Sequence, residues 1–207
     1  MTPAAASLRY LALGDSYTIG EAVAATDGWP AALVQQLRRT GVAIDAPHII
    51  ATTGWTTDEL AQGMDVASLD PPYDLVTLQI GVNNQYRSRS AADYREQFTS
   101  LLARAIELAD KRATQVVVVS IPDWGVTDFA RESGRDLTQI AHELDTFNAI
   151  AHNEAGRAGA HFVDITDISR KHARLVADDG LHPSSAQYVL WVEAIAPVVR
   201  AALDLSH

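Results

Sequence analysis

The chain has 207 residues, of which 47% are hydrophobic, and its 26 acidic residues outnumber its 16 Lys and Arg residues, so its formal net charge is −10. This charge argues against a nucleic-acid partner, because phosphate binding depends on clustered cations. The absence of cysteine excludes disulfides, cysteine-ligated metals and a thiol nucleophile.

A chain of this length and composition can bury one core, which predicts a single domain over residues 1–207. No apolar run approaches the roughly 18 residues that span a bilayer, so we expect no membrane span. The N-terminal residues lack the basic cluster and apolar stretch of a signal peptide. The sequence therefore predicts a cytoplasmic protein, and a secreted form already trimmed of its signal is the alternative.

Short apolar runs alternate with longer segments of helical period, which is the pattern of β-α units in a parallel sheet. The first predicted strand, residues 9–13, is followed by a helix at 29–40, which has a proline in its first turn, where a missing N–H costs little. A short strand at 48–51 and a short helix at 57–64 come next. The third strand, at 74–80, is nearly all apolar, as expected for a strand that is covered on both faces.

The second half of the chain continues the alternation. Ser90 is a candidate cap for a long helix that reaches residue 112 and carries an apolar stripe at steps of three and four residues. A strand at 115–121 and a helix at 135–158 follow. We interpret the apolar stripe as a core-facing surface.

The last predicted elements are a strand at 161–165 and a helix at 184–203, which Pro197 should kink or interrupt. The sequence therefore predicts an α/β fold, a three-layer α/β/α sandwich around a five-stranded parallel sheet. Ligands of such open sheets bind beyond the carboxyl ends of the strands.

Polar residues collect after the predicted strands. Gly14, Asp15 and Ser16 follow the first strand, and they are also common in an ordinary turn between a strand and a helix. Asp179 and His182 stand three residues apart in a loop near the end of the chain, where the carboxylate can hold the imidazole, although this segment also fits an exposed charged turn. Asp15 is expected to brace the turn rather than to do chemistry.

Gly54 and Asn83 follow the second and third strands, at the same edge of the predicted sheet. A backbone amide at a glycine and an asparagine side chain can both donate to an oxyanion. A hydroxyl, an imidazole with a carboxylate partner, and oxyanion donors are the groups that acyl transfer needs. Their shared position favours a catalytic site over four unrelated loops.

The chain resembles the GDSL hydrolases, also called SGNH hydrolases. The resemblance rests on four short motifs in the family's order, Gly14-Asp15-Ser16, Gly54, Gly81-x-Asn83 and Asp179-x-x-His182. It implies a flavodoxin-like fold and the hydrolysis of a small-molecule ester without a metal or a cofactor. It also implies a role for each residue: Ser16 is the nucleophile, His182 the general base and acid, and Asp179 its partner, while Ser16, Gly54 and Asn83 supply the oxyanion hole.

Two positions depart from the family pattern. Many members have Asp where this chain has Asn84, and a second Gly where it has Ala51. Neither residue belongs to the proposed catalytic set, so the departures bear on specificity more than on chemistry. Asp178 competes with Asp179 for the place beside the imidazole, and only the resemblance favours Asp179.

Other residues have weaker claims to function. Trp55 and Trp124 follow strands at the same edge and are candidates for a substrate pocket, although ordinary aromatic packing is as good an explanation. His142 and His152 lie ten residues apart on one predicted helix. Their imidazoles would point about 80° apart, so we expect a solvated face and no metal site.

Two alternatives to an ester hydrolase stay open at this point. An acyltransferase or a thioesterase would use the same three residues on a different acceptor or acyl donor. A flavodoxin-like binding module would keep the turns for a ligand and perform no chemistry.

Overall fold

The structure, a computed structural model, describes residues 6–205. Within this range five strands form one parallel sheet in the order β2-β1-β3-β4-β5, the doubly wound order of flavodoxin-like folds. The strands are β1 (Tyr10–Gly14), β2 (His48–Ala51), β3 (Leu75–Gln79), β4 (Val116–Val119) and β5 (His161–Val163).

Helices cover both faces of the sheet, so the predicted three-layer sandwich is confirmed. On one face α2 packs against α9, and on the other α5 packs against α3 and α7. The helices are α1 (Ser16–Ile19), α2 (Trp29–Arg39), α3 (Thr57–Val66), α4 (Val82–Tyr86), α5 (Ala91–Leu108), α6 (Asp128–Glu132), α7 (Leu137–Ala158), α8 (Thr166–Lys171) and α9 (Ser185–Ala202). Short 3₁₀ turns at Ala113–Gln115 and Trp124–Val126 flank β4.

The core lies on both sides of the three central strands, in which every residue is buried. The apolar stripe predicted on α5 is buried as expected, from Tyr94 to Ala105. None of the helices within residues 6–205 combines the length and the apolar character that crossing a membrane requires.

Two helix predictions differ from the structure. Helix α5 ends at Leu108 rather than at residue 112, because Asp110 and Lys111 take left-handed backbone conformations, with φ of 56° and 62°. Helix α9 runs without interruption through Pro197, so the predicted break there is wrong. Four short helices, α1, α4, α6 and α8, were not predicted.

The turn after β1 brings the backbone very close to its neighbours. A Cβ atom added at Gly14 would lie 2.0 Å from Thr18 Oγ1 and 2.6 Å from the carbonyl oxygen of Gln79. Only glycine fits at this point, where the chain passes from β1 into α1. The close passage places Ser16 directly at the carboxyl edge of the sheet.

Candidate active site

Ser16 is the first residue of α1, and the residue before it fixes the start of that helix. The Asp15 carboxylate caps α1 by accepting a hydrogen bond from the Tyr17 N–H at 3.1 Å. Asp15 is almost fully buried, and this burial raises its pKa from 3.8 to about 7. Asp15 therefore braces the turn, as the sequence predicted, and Ser16 faces a pocket.

The loop before α9 brings Asp179 and His182 together. A backbone hydrogen bond of 2.8 Å from the Ala177 N–H to the His182 carbonyl closes this loop. The Asp179 Oδ2 atom lies 2.6 Å from His182 Nδ1, while its Oδ1 accepts from the N–H groups of Leu181 at 2.9 Å and His182 at 3.0 Å. Both carboxylate oxygens are thereby used.

These contacts decide the charge on Asp179. Partial burial opposes ionisation, but the hydrogen bonds from the His182 ring and from two backbone N–H groups outweigh it and lower the pKa of Asp179. A carboxylate held in this way faces the imidazole as an anion. By contrast Asp178 is exposed and makes no hydrogen bond or ion pair with the other described residues.

Gly54 lies in a tight turn between β2 and α3. The Trp55 N–H donates to the Thr52 carbonyl at 3.2 Å, and Gly54, the third residue of the turn, has a φ of 84°. A positive φ at this position is typical of a type II turn and favours glycine. The Gly54 N–H has no acceptor within residues 6–205, so it is free to bind a ligand atom.

Asn83 lies in the first turn of α4, next to this turn. Its Nδ2 atom donates to the Trp55 carbonyl at 3.0 Å and carries a second hydrogen that this bond does not use. The turn at Gly54 and the start of α4 are thus joined by a side-chain bond. Two candidate oxyanion donors therefore meet at the edge of the sheet where Ser16 lies.

A pocket of about 240 Å³ joins these groups. Its walls are mostly apolar, and its lining contains no Asp, Glu, Lys or Arg. The lining residues are Ser16, Tyr17, Thr53, Gly54, Val82, Asn83, Tyr86, Trp124, Phe129, Leu181 and His182.

The two candidate tryptophans have different positions. Trp124 lines the pocket, and its indole N–H donates to Gln85 Oε1 at 2.8 Å, which fixes the ring. Trp55 is absent from the lining, since its ring packs against Gly63 of α3, where an added Cβ would lie 2.2 Å from the ring. Trp124 alone of the pair stands where a substrate would contact it.

Residues 12–190 match the GDSL-like Lipase/Acylhydrolase family. The chain belongs to this family. The match covers most of the chain, and it makes the protein a carboxylic ester hydrolase. No curated protein sequence matches the chain.

Solved structures of esterases share the fold of this GDSL-like hydrolase. The lipase/acylhydrolase from Enterococcus faecalis is 20% identical, with a TM-score of 0.72 over 94% of this chain and 96% of that one. The psychrotrophic esterase EstA from Pseudoalteromonas sp. is 17% identical, with a TM-score of 0.71 over 95% and 98%. The acetylxylan esterase Axe2 from Geobacillus stearothermophilus is 16% identical, with a TM-score of 0.71 over 93% and 94%. At these identities the likeness establishes the fold.

The departures from the family pattern now have places in the structure. Asn84 is buried and bonds twice to Thr57 of α3: its Oδ1 accepts from the Thr57 N–H at 3.1 Å, and its Nδ2 donates to Thr57 Oγ1 at 2.7 Å. It therefore ties α4 to the start of α3. Ala51 ends β2 opposite Gly14 and does not line the pocket of this GDSL-like hydrolase.

The histidines of α7 lie away from this pocket. The His152 ring lies 4.9 Å from the Phe162 ring, measured between centroids. Across the described part of the chain, no group of three or more His, Asp or Glu side chains is arranged to hold a metal ion.

Several pocket residues had no signal in the sequence. Tyr86 and Phe129 belong to the short helices α4 and α6, which hydrophobic periodicity does not reveal in five residues. Phe129 is tied to the loop of Asp179, because its N–H donates to the Gly180 carbonyl at 3.2 Å. Helix α6 thereby forms one wall of the pocket in this GDSL-like hydrolase.

Proposed function

We propose that this GDSL-like hydrolase cleaves small or medium acyl esters through an acyl-enzyme intermediate on Ser16. His182 is the general base and then the general acid, and Asp179 is its partner. The observation that carries the proposal is the 2.6 Å contact between Asp179 Oδ2 and His182 Nδ1, on an imidazole that lines the same pocket as Ser16. The proposal extends to one catalytic domain over residues 1–207.

The contact with Asp179 determines which ring nitrogen acts as the base. A carboxylate only accepts hydrogen bonds, so it holds the proton on Nδ1 and leaves Nε2 of His182 with a free lone pair. As the Ser16 oxygen attacks the ester carbonyl carbon, its proton passes to Nε2. The imidazolium that forms is stabilised by the ionised Asp179.

The oxyanion donors act at the same moment. The carbonyl oxygen becomes negatively charged, and the N–H groups of Ser16 and Gly54 and the free Nδ2 hydrogen of Asn83 are proposed to bind it. When the tetrahedral intermediate collapses, the alcohol leaves with the proton from His182. Water then attacks the acyl-enzyme by the same route and regenerates the Ser16 hydroxyl.

The lining of the pocket supports the acyl specificity. Because the walls are mostly apolar and carry no Asp, Glu, Lys or Arg, an uncharged acyl group loses little on entering, whereas a charged one would lose its hydration. The volume of about 240 Å³ suits a short chain rather than a long lipid tail. The esterase EstA, which shares the fold, has been solved as a form inhibited by monoethylphosphonate.

The test is a series of p-nitrophenyl esters, from acetyl to decanoyl, hydrolysed by the wild type and by Ser16→Ala, His182→Ala and Ser185→Ala. Ser185 is a matched control, since its hydroxyl bonds Asp27 outside the pocket. We expect short-chain esters to be preferred, the first two variants to lose about 10⁶-fold in kcat, and Ser185→Ala to retain full activity. Turnover by Ser16→Ala within tenfold of wild type would contradict the proposal.

A further inference from the structure

The side chain of Arg87 reaches back over the turn that contains Gly54. Its Nη2 atom donates to the Gly54 carbonyl at 2.7 Å. Its Nη1 atom lies 3.1 Å from Glu59 Oε1 and 3.2 Å from Glu59 Oε2. The guanidinium therefore connects the first turn of α3 to the backbone of the glycine whose N–H is the proposed oxyanion donor.

Glu59 is itself held in place. Its Oε2 accepts from the Thr56 N–H at 2.9 Å, as the acidic member of the capping box of α3. This backbone hydrogen bond and the contact with Arg87 lower the pKa of Glu59, so its side chain is a carboxylate at neutral pH. Arg87 is anchored at its other end too, because its N–H donates to the Asn83 carbonyl at 3.0 Å.

The turn at Gly54 needs such an anchor. Glycine adopts positive and negative φ with similar ease, so the Thr53–Gly54 peptide can rotate and turn the Gly54 N–H away from the pocket. Helix α4 and the residue after it hold the two carbonyls that follow this peptide, that of Gly54 through Arg87 and that of Trp55 through Asn83. These bonds fix the backbone on the carboxyl side of the peptide.

We propose that Arg87, braced by Glu59, is a positioning residue that keeps the Gly54 N–H directed at the oxyanion. The proposal rests on the proposed function, since it assigns work to the same oxyanion hole. Arg87 does not line the pocket and touches no substrate. Its effect should therefore appear in kcat rather than in KM, because the oxyanion exists only in the transition state and the intermediates.

Arg89 supplies a matched control. It lies two residues further on and pairs with Asp58, the residue before Glu59, at 2.5 Å between Nη1 and Oδ1. Both arginines thus join the end of α4 to the first turn of α3, and both are partly exposed. Only Arg87 bonds the Gly54 carbonyl, so the comparison separates the effect on Gly54 from the general effect of losing an ion pair.

The experiment measures kcat and KM for p-nitrophenyl butyrate, and the rate of inactivation by a fluorophosphonate, for wild type, Arg87→Ala, Arg87→Lys, Glu59→Gln and Arg89→Ala. Loss of a whole oxyanion donor costs about 100- to 1,000-fold in rate. For Arg87→Ala, which leaves the donor present but loosely held, we expect kcat and the inactivation rate to fall about 10- to 100-fold, with KM within threefold of wild type. Arg87→Lys, which can still donate to the Gly54 carbonyl, should recover part of the loss.

Glu59→Gln keeps the capping box, since glutamine also serves there, and it weakens the hold on Arg87. It should fold normally and lose about three- to tenfold in kcat, whereas Arg89→Ala should stay within twofold of wild type. Values of kcat for Arg87→Ala and Glu59→Gln that match Arg89→Ala would overturn the positioning role, and if Arg87→Ala does not fold, Glu59→Gln and Arg87→Lys decide the question alone. A wild type that the fluorophosphonate does not label at Ser16 would instead refute the proposed function.

Discussion

Replacing Asp179 with asparagine gives a sharp test of how this hydrolase prepares its base. The Oδ1 atom of Asp179 accepts two backbone N–H groups, at 2.9 and 3.0 Å, and Oδ2 faces His182 Nδ1 at 2.6 Å. Asparagine has one acceptor oxygen and one donor nitrogen. If its oxygen keeps the two backbone bonds, its NH₂ group faces Nδ1, so the ring must carry its proton on Nε2 and cannot accept one from Ser16.

The magnitude follows from the alternative orientation of the amide. Turning the oxygen toward Nδ1 restores the reactive tautomer of His182 but leaves the two backbone donors without a partner, which costs about 2–4 kcal/mol. Since 1.4 kcal/mol is a factor of ten, only about 1 molecule in 30 to 1 in 1,000 would hold the reactive form. The lost negative charge beside the imidazolium lowers the rate further, so we expect kcat to fall about 10³- to 10⁴-fold in all.

The assay is steady-state hydrolysis of p-nitrophenyl butyrate by wild type, Asp179→Asn and Asp178→Asn, with thermal unfolding to verify that the variants fold. Asp178 is the matched control, because it is adjacent and exposed. We expect Asp178→Asn to stay within twofold of wild type. The reasoning is refuted if Asp179→Asn retains a tenth or more of the wild-type kcat, or if Asp178→Asn is the more damaged of the two.

Three further predictions concern the oxyanion hole, the pocket wall and the turn at the serine. Asn83→Ala should lower kcat about 100- to 1,000-fold with little change in KM, and a loss below threefold in steady-state kinetics would argue against a donor role. Trp124→Phe leaves the buried Gln85 Oε1 without its indole donor, so the free energy of unfolding in urea should fall by about 1–3 kcal/mol, with a smaller loss in a Gln85→Met background. The pKa of Asp15 is raised from 3.8 to about 7 on folding, so its contribution to stability is fully present below pH 4 and is lost as the pH rises to 7. Asp15→Asn should therefore become more stable relative to wild type across that range, by up to about 1.4 kcal/mol per pH unit, and a difference that does not change with pH in urea unfolding would count against this burial.

Strong periodic signals carried most of the architecture. Strand β2 was predicted with its observed limits, and the strand order follows from alternating β-α units whose sheet reverses direction between β1 and β3. The end of α5 was missed because the left-handed backbone of Lys111, with φ of 62°, is a conformation that its residue type does not favour. Helix α6 was missed because five residues are too few to show a period.

The candidate site divides in the same way. The motif residues were predicted because each follows a strand at the same edge, where chain topology alone brings them near one another. The direction of a side chain is not set by topology, and Trp55 and Trp124, which both follow strands, differ because one packs on Gly63 and the other is bonded by Gln85. Arg87 has no motif, since its position over Gly54 depends on how α4 packs beside α3.

The central claim is that Ser16 is the nucleophile, and the most direct measurement is peptide mass spectrometry of the protein after reaction with a fluorophosphonate. The account predicts one adduct per chain, located on Ser16, which is absent in Ser16→Ala and forms much more slowly in His182→Ala. An adduct on another residue, or no adduct in a protein that hydrolyses p-nitrophenyl butyrate, would contradict the account.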